Sequence, residues 1–424
     1  MLKLNYEVVV IHTQTKPYKI LAGFKDSDPL ELLKKESILF PFAEASVNFI
    51  AQLSKNIFAD KQLRNYPEFI SLAHWLRRAH IIELKNEFQD QFKDRITLSR
   101  GLILHFAPAN VDVLFVYSWL ISLLAGNKNI IRISATTEKR TGLLLKKIRE
   151  TLEKYPIIAS RTLIITYPHD TEITKQFSMM CDCRVIWGGD HTVQTIRSIS
   201  LPPHATEIVF PNRFSHALLC SNTFLTASAE EKRVLIENFA KDFLWHHQAT
   251  CSSPKNVIWL GSSDRNQEAQ TEFWQKVNSY LIEKNPKWIE EIKLKQLTLA
   301  FCLAAHPLVE KFTDTLQSPI FNFKIKHIDQ SLRYLHKGLG IFFEMEIRDL
   351  RELYAILDSK DQTIGSYGVS QNEWKELVTK LPKRAIDRIV PFGQMLNFSP
   401  VWDGYSLLTY FTRELQFFEN RQSL

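Results

Sequence analysis

The chain has 424 residues, of which 45% are hydrophobic, 23% charged and 12% aromatic, and its formal net charge is +7. That length favours two or three domains, each with its own core, and the ordinary composition excludes a fibrous or disordered chain. Lys and Arg are scattered rather than clustered, so the mild positive charge does not call for nucleic acid and suits a polyanionic small molecule equally well. The five cysteines (Cys181, Cys183, Cys220, Cys251 and Cys302) form no CxxC pair. Neither a disulfide framework nor a zinc site is indicated, and reduced thiols fit a cytoplasmic protein. The opening MLKLNYEVVV carries Glu7 and no long apolar core, so it does not read as a signal peptide. The most apolar segment, 113–125, is too short to span a bilayer and reads as a buried helix.

Residues 1–95 read as a strand at 6–11 followed mainly by helices, with apolar residues at helical spacing over 42–58 and 67–80. This part shows no evident chemistry and is expected to be a packing or assembly layer. From Gly101 short β-branched runs alternate with helices. Strands are predicted at 102–106, 129–133, 162–166, 184–187 and 207–210, and helices at 111–125, 138–152, 170–180 and 190–198. Such alternation with short connections implies parallel strands in a doubly wound sheet, whose ligands bind at the carboxyl ends of the strands. The loops to examine are therefore 106–110, 132–136, 187–192 and 210–213.

Ser228 and Glu231 form a capping box ahead of Leu235, Phe239 and Phe243, so a buried helix is expected from there to near Gln248, with Pro254 as the stop. Cys251 then falls on a loop at the end of that helix. A loop held by a rigid element is where a reactive group would be placed, although a free cysteine is as readily inert packing. After a mixed region at 255–335, a second alternating block has strands at 341–347, 362–367 and 386–391 and helices at 348–357 and 372–381. The tail holds a turn at Trp402-Asp403-Gly404 and an amphipathic helix over 405–418. The expected division is an N-terminal helical region (1–95), a nucleotide-binding α/β domain (96–222), a catalytic α/β domain (223–390) and a C-terminal segment returning to the domain interface (391–424).

Four loops carry residues able to do chemistry. His105-Phe-Ala-Pro-Ala-Asn110 ends a strand and opens a helix, so Asn110 is either an N-cap or an amide donor beside a reacting carbonyl. Arg132-Ile-Ser134 ends the next strand, either as a solvated strand end or against a nucleotide. Gly188-Gly189-Asp190 opens a helix and is either an ordinary turn or a phosphate site. His247-Gln-Ala-Thr-Cys-Ser-Ser-Pro254 carries the cysteine. In this order, the four resemble the aldehyde dehydrogenase superfamily, and more closely the long-chain acyl-CoA reductase family. The likeness is carried by Gly101-Leu-Ile-Leu-His-Phe-Ala-Pro-Ala-Asn110, Gly126-Asn127-Lys-Asn-Ile-Ile-Arg-Ile-Ser134, Trp187-Gly-Gly189, the cysteine loop, Arg388-Ile-Val-Pro-Phe-Gly393 and Phe398-Ser-Pro-Val-Trp-Asp-Gly404.

The resemblance implies two α/β domains with doubly wound, mainly parallel sheets and an active-site tunnel between them. It implies an enzyme that reduces a fatty acyl thioester, on coenzyme A or on a protein, to the aldehyde. Cys251 would be the nucleophile and Asn110 an oxyanion donor, with Arg132, Ser134, Gly188, Gly189, Phe392 and Gly393 around the cofactor. Where hydrolytic relatives carry a Glu that activates water, this chain has Val209-Phe-Pro-Asn-Arg213, and Glu207 sits nearby on a strand. Arg132 in place of Lys, with Ala135 where NAD-selective members often carry Glu, favours NADPH. An acyl-activating partner enzyme and a homo-oligomer would be in keeping with the family. The alternatives are a cysteine acyltransferase or thioesterase without a redox step, and a catalytically silent assembly partner. His246 and His247, beside the cysteine, stand either as modifiers of its pKa or as helix-end residues.

Overall fold

The computed structural model describes residues 17–24, 28–108, 112–134, 139–284, 287–313 and 318–418. The strand expected at 6–11, Asn110 and Ala135 lie outside them.

A six-stranded sheet runs in the order Lys19–Gly23, Thr162–Thr166, Lys128–Arg132, Leu102–Phe106, Cys183–Trp187, Thr206–Phe210. All neighbours are parallel except Lys19–Gly23, which lies antiparallel to Thr162–Thr166. Side chains alternate between two cores, as strand geometry requires. Ile103 and Val185 enter the core with the helix Asp112–Leu124, and Leu104 and Ile186 the core with Ile173 and Phe177. The Asp112–Leu124 helix is apolar all round because it has no wet face. Glu44–Ala59 and Pro67–Trp75 cover it from the outside. The helix expected over 67–80 is two helices, Pro67–Trp75 and Arg78–Gln91, because the chain turns extended at Arg77. The Arg77 guanidinium bonds the His74 carbonyl left open by that break.

The second sheet has seven strands in the order Val309–Thr313, Phe321–Ile325, Ile341–Ile347, Asn256–Leu260, Phe214–Cys220, Asp361–Tyr367, Arg388–Pro391. Only Val309–Thr313 is antiparallel to its neighbour. The chain passes from one sheet to the other at 211–213, ahead of the boundary expected after 222. Arg213 fixes the crossing by donating to the carbonyls of Lys360 and Asp361 and pairing with Asp387. Among the described residues no helix is long and apolar enough to cross a membrane.

Two expected helices are corrected. The 348–357 segment is a three-residue 3-10 turn, Leu350–Glu352, followed by Leu353–Ile356. Asp349 and Glu352 cap it reciprocally, and the chain reverses directly into the next strand. The tail over 405–418 holds only the short helix Leu407–Tyr410, after which Thr412–Leu415 pairs antiparallel with Ile96–Ser99. Leu407, Leu408 and Phe411 are buried in the first core. Once they are anchored, the edge of Ile96–Ser99 supplies the backbone partners that a longer helix would have made internally.

The helix Ala229–Leu244 forms as its capping box predicts, with Ser228 and Glu231 bonding reciprocally. Phe239 and Phe243 are fully buried, and Phe239 packs against Phe273, Trp274, Phe342 and Phe392. Truncating Phe239 to Ala should lower the unfolding free energy by about 3–5 kcal/mol, measured by denaturant titration, since the cavity sits between packed rings.

Candidate active site

The helix Ala229–Leu244 stops four residues before the position expected from sequence. His246, His247 and Gln248 follow with φ of 53°, 54° and 61°, three consecutive left-handed residues without a glycine among them. Each such residue costs about 1–2 kcal/mol relative to the right-handed form. The turn is held by the buried Gln248 side chain. Its Nε2 donates to the carbonyls of Pro254 (2.7 Å) and Ile341 (2.9 Å), and its Oε1 accepts from the N–H groups of Gly340 (2.9 Å) and Ile341 (3.2 Å). That is the full capacity of an amide. Leu339 N–H also donates to the His247 carbonyl at 2.9 Å. Gly338 (φ +84°) lies so close that a Cβ there would stand 2.6 Å from the Gln248 carbonyl oxygen.

The cysteine peptide is fastened on both sides. Ser215 Oγ donates to the Cys251 carbonyl at 2.6 Å, and Lys255 Nζ donates to the Thr250 carbonyl at 2.6 Å. Cys251 is half-buried and borders a cleft enclosing about 880 Å³ of empty space, its open mouth included. The cleft lies between the two sheets. Trp187, Gly188 and Gly189 reach it from the first, the cysteine loop from the second, and Phe398 and Trp402 from the C-terminal segment. Trp187 is set by its stacking on Phe210, 3.8 Å between centroids, and by its indole N–H on Ser118 Oγ at 3.1 Å. Behind it His105 bridges Ser118 and Asn129, and burial brings its pKa down to about 4, so the ring is neutral.

The structure thus brings Cys251, Gly188 and Gly189 to one cavity. Gly189 caps the helix Asp190–Arg197, and nothing stands within 4 Å of where its Cβ would be, which leaves the first turn open to approach. Arg132 ends its strand outside the lining of this cleft. Its guanidinium sits 5.3 Å over the Tyr167 ring and donates to the Tyr167 carbonyl at 3.2 Å. Ser134 follows it, half-buried. Phe392 faces the second core, 5.5 Å from Phe239, and Gly393 N–H donates to Asp242 Oδ2 at 2.6 Å. Both therefore anchor the segment that carries Leu396 and Phe398 into the cleft rather than line it. Glu207 pairs with Arg184 and Arg197. Among the described lining residues the only carboxylate is Glu68, from the N-terminal helices, 3.5 Å from Arg140.

Burial raises the Cys251 thiol above its ordinary pKa, and the Asp403 carboxylate adds to that. Lys255, a hydrogen bond from the Gln362 side chain, and Arg213 pull the other way. Lys255 is itself brought down to about 8 by burial. His246 lines the cleft and is held near 4 by burial, then by Arg140 and His247, so it is a neutral imidazole at pH 7. Sequence reasoning did not reach Gln248, Lys255, Gln362 or Glu68. Of these, only Lys255, four residues after the cysteine, carried a local signal.

A sequence profile described as acyl-CoA reductase (LuxC) matches residues 41–414. The chain belongs to the LuxC acyl-CoA reductase family. Among curated relatives it is similar to the long-chain acyl-protein thioester reductases of Vibrio harveyi (24% identity over 260 residues, 56% of this chain and 52% of that protein) and Photobacterium phosphoreum (23% over 246 residues, 56% and 48%). The chain spans about half the length of the curated relatives it matches. Among solved structures it resembles Staphylococcus aureus AldH in a substrate-bound state (TM-score 0.65, 12% identity, 93% of this chain and 94% of that one). It also resembles an NAD-dependent benzaldehyde dehydrogenase from Corynebacterium glutamicum (TM-score 0.58, 13%, 91% and 87%). This LuxC-family chain therefore has the two-sheet α/β fold of the aldehyde dehydrogenases.

Substituting Gly338 by Ala would force its Cβ into the Gln248 carbonyl. It should lower stability by about 1–3 kcal/mol in urea titration and slow alkylation of Cys251, because the strained turn loses its backing.

Proposed function

We propose that the protein reduces a long-chain acyl thioester to the aldehyde, with Cys251 as nucleophile and NADPH as reductant. The observation that carries this reading is the meeting of Cys251 with the Gly188-Gly189 helix start in one cleft between two sheets. The Cys251 sulfur, once deprotonated, attacks the thioester carbonyl. A new sulfur–carbon bond forms, the substrate's carbon–sulfur bond breaks, and the departing thiolate takes up a proton. The Cys251 backbone N–H and Asn110 are the proposed donors to the oxyanion, and one such donor is worth about 3–4 kcal/mol in related chemistry.

The residues present fit a dinucleotide. The helix beginning at Asp190 offers free N–H groups past an unobstructed Gly189, and Arg132 places a cation at the same end of the sheet, two strands away across Leu102–Phe106. When bound, the reduced nicotinamide supplies the hydride that takes the acyl group to the aldehyde level. Leu114, Trp245, Leu396 and Phe398 give the cleft an apolar wall suited to a fatty chain. The Val209-Phe-Pro-Asn-Arg213 segment offers no carboxylate to activate water, and Glu207 is committed to two arginines. That favours reduction of the acyl-enzyme over hydrolysis. The names of the relatives support a protein-bound acyl donor, with coenzyme A as the simpler probe.

Mass spectrometry after mixing with a long-chain acyl-CoA should show an acyl adduct on the Cys251 peptide, and adding NADPH should remove it with release of aldehyde. The Cys251→Ala protein should show neither. An adduct that turns over to free acid, or aldehyde made by Cys251→Ala, would overturn the reading. In steady-state kinetics kcat/KM should be about tenfold or more higher with NADPH than with NADH, a margin of about 1.4 kcal/mol that one arginine–phosphate contact can supply, and Arg132→Met should erase it.

A further inference from the structure

The Trp402-Asp403-Gly404 turn carries part of the family likeness without an evident chemical task. It joins the short strands Val401–Trp402 and Tyr405–Ser406. Its central residues have positive φ, 48° at Asp403 and 78° at Gly404, and a two-residue hairpin of that kind favours Asp followed by Gly. The turn seats Trp402 in the cleft wall, with only 7% of the residue exposed. The ring is held between Tyr117, 5.5 Å away between centroids, and Trp187, edge-on at 5.9 Å. Trp402 also borders a second, smaller cavity of about 450 Å³, onto which Gln362, Thr363 and Arg388 open.

A buried indole N–H usually finds an acceptor. Trp187, in the same wall, donates to Ser118 Oγ at 3.1 Å. Trp402 differs: its Nε1 is buried and has no acceptor among the described residues. Among the described lining residues of the cleft, only His246 Nδ1 shares that condition. An imidazole nitrogen either donates or accepts and so does not specify its partner, whereas an indole N–H only donates. The described lining also contains no Lys or Arg. A phosphate would arrive there without a counter-charge, so the acceptor that fits is a neutral oxygen.

We propose that Trp402 is a ligand-binding residue whose indole N–H donates to a carbonyl oxygen of a molecule bound in the cleft. This rests on the reductase reading, which brings two sources of such an oxygen to the cleft, the acyl donor and the carboxamide of the nicotinamide. The fold leaves the donor open and the ligand closes it. Its contribution therefore appears in binding and not in the stability of the ligand-free protein.

Replacing Trp402 with its benzothienyl analogue exchanges the N–H for sulfur at nearly constant shape. Trp402→Phe removes the N–H together with part of the ring, and the analogue decides if that variant does not fold. Two measurements on the full-length protein separate the sources. One follows acylation of Cys251 by a long-chain acyl-CoA, without cofactor, by mass spectrometry. The other takes NADPH affinity by calorimetry, without acyl donor. A loss of about tenfold in acylation alone assigns the N–H to the acyl donor, and the same loss in NADPH affinity alone assigns it to the carboxamide. The denaturant midpoint of the ligand-free analogue protein should be unchanged or higher. Neither measurement moving overturns the proposal. A lower midpoint without ligand does so too, since the N–H would then already be satisfied in the empty protein. Equal losses in both measurements mark a distorted cleft and also overturn it.

Wild-type protein that forms no adduct and binds no NADPH would remove the reductase reading. Wild-type protein that does both, matched in each measurement by the analogue, would remove this inference alone.

Discussion

Four hydrogen bonds to one buried side-chain amide, that of Gln248, hold the turn on which Cys251 is carried. Three left-handed residues in a row would relax on their own, at a gain of about 1–2 kcal/mol each. They persist because relaxing them would leave the amide and the backbone groups of Pro254, Gly340 and Ile341 unpaired away from water, at about 1–3 kcal/mol per group. Apart from Pro254, at the end of the cysteine loop, the partners belong to the strand Ile341–Ile347 and the loop before it, and none to the helix that leads into the turn. The position of the thiol is thus set by the second sheet, and the helix Ala229–Leu244 serves mainly to bring the chain there.

That placement decides the electrostatics. A half-buried sulfur among packed groups favours the neutral thiol, and the nearby Asp403 carboxylate adds to this. The compensating groups, Lys255, Arg213 and Arg388, each come from a different part of the chain. Lys255 is also disfavoured as an ion by burial, down to about 8, while Cys251 pulls it back up. The two side chains therefore titrate as a pair, each making ionisation of the other less unfavourable. A thiol held this way is quiet at rest and responds to small changes in the charges around it.

Much of the fold could be read locally. Strands at Leu102–Phe106, Thr162–Thr166 and Ile341–Ile347 have the expected bounds, because each is a short apolar run between turn residues. The strands Phe214–Cys220 and Asn256–Leu260 escaped notice although both flank the site. Each is buried on both faces and shows no alternation, so periodicity alone could not separate it from the helices nearby. The tail misled for another reason. Residues 405–418 have helical spacing, but the outcome depends on Ile96–Ser99, roughly three hundred residues earlier, which no local pattern reports. At the site, Cys251 and the Gly188-Gly189 turn were legible from their loops. Gln248 was not, since its role exists only against the 338–341 loop, and Glu68 was not, since it arrives from a helix with no other sign of chemistry.

The C-terminal segment shows why a cleft between two sheets needs the end of the chain. Asp242, in the cysteine helix, accepts from Gly393 N–H and Met395 N–H and is buried so deeply that its carboxyl is pushed up to about 7. This fixes the segment to the second sheet. Phe398 then stacks on Tyr117 at 5.2 Å, and the Tyr117 hydroxyl donates to the Ser399 carbonyl, which fixes the segment to the first. Thr412–Leu415 completes the attachment by pairing with Ile96–Ser99. Between these anchors lie Trp402, on the cleft wall, and Asp403, which accepts a hydrogen bond from Gln362. A loop belonging to either domain alone would follow that domain's motion. A segment tied to both keeps its distance from Cys251 and from Trp187 at once, so the geometry of the thiol and the width of the cleft are fixed by the same few residues.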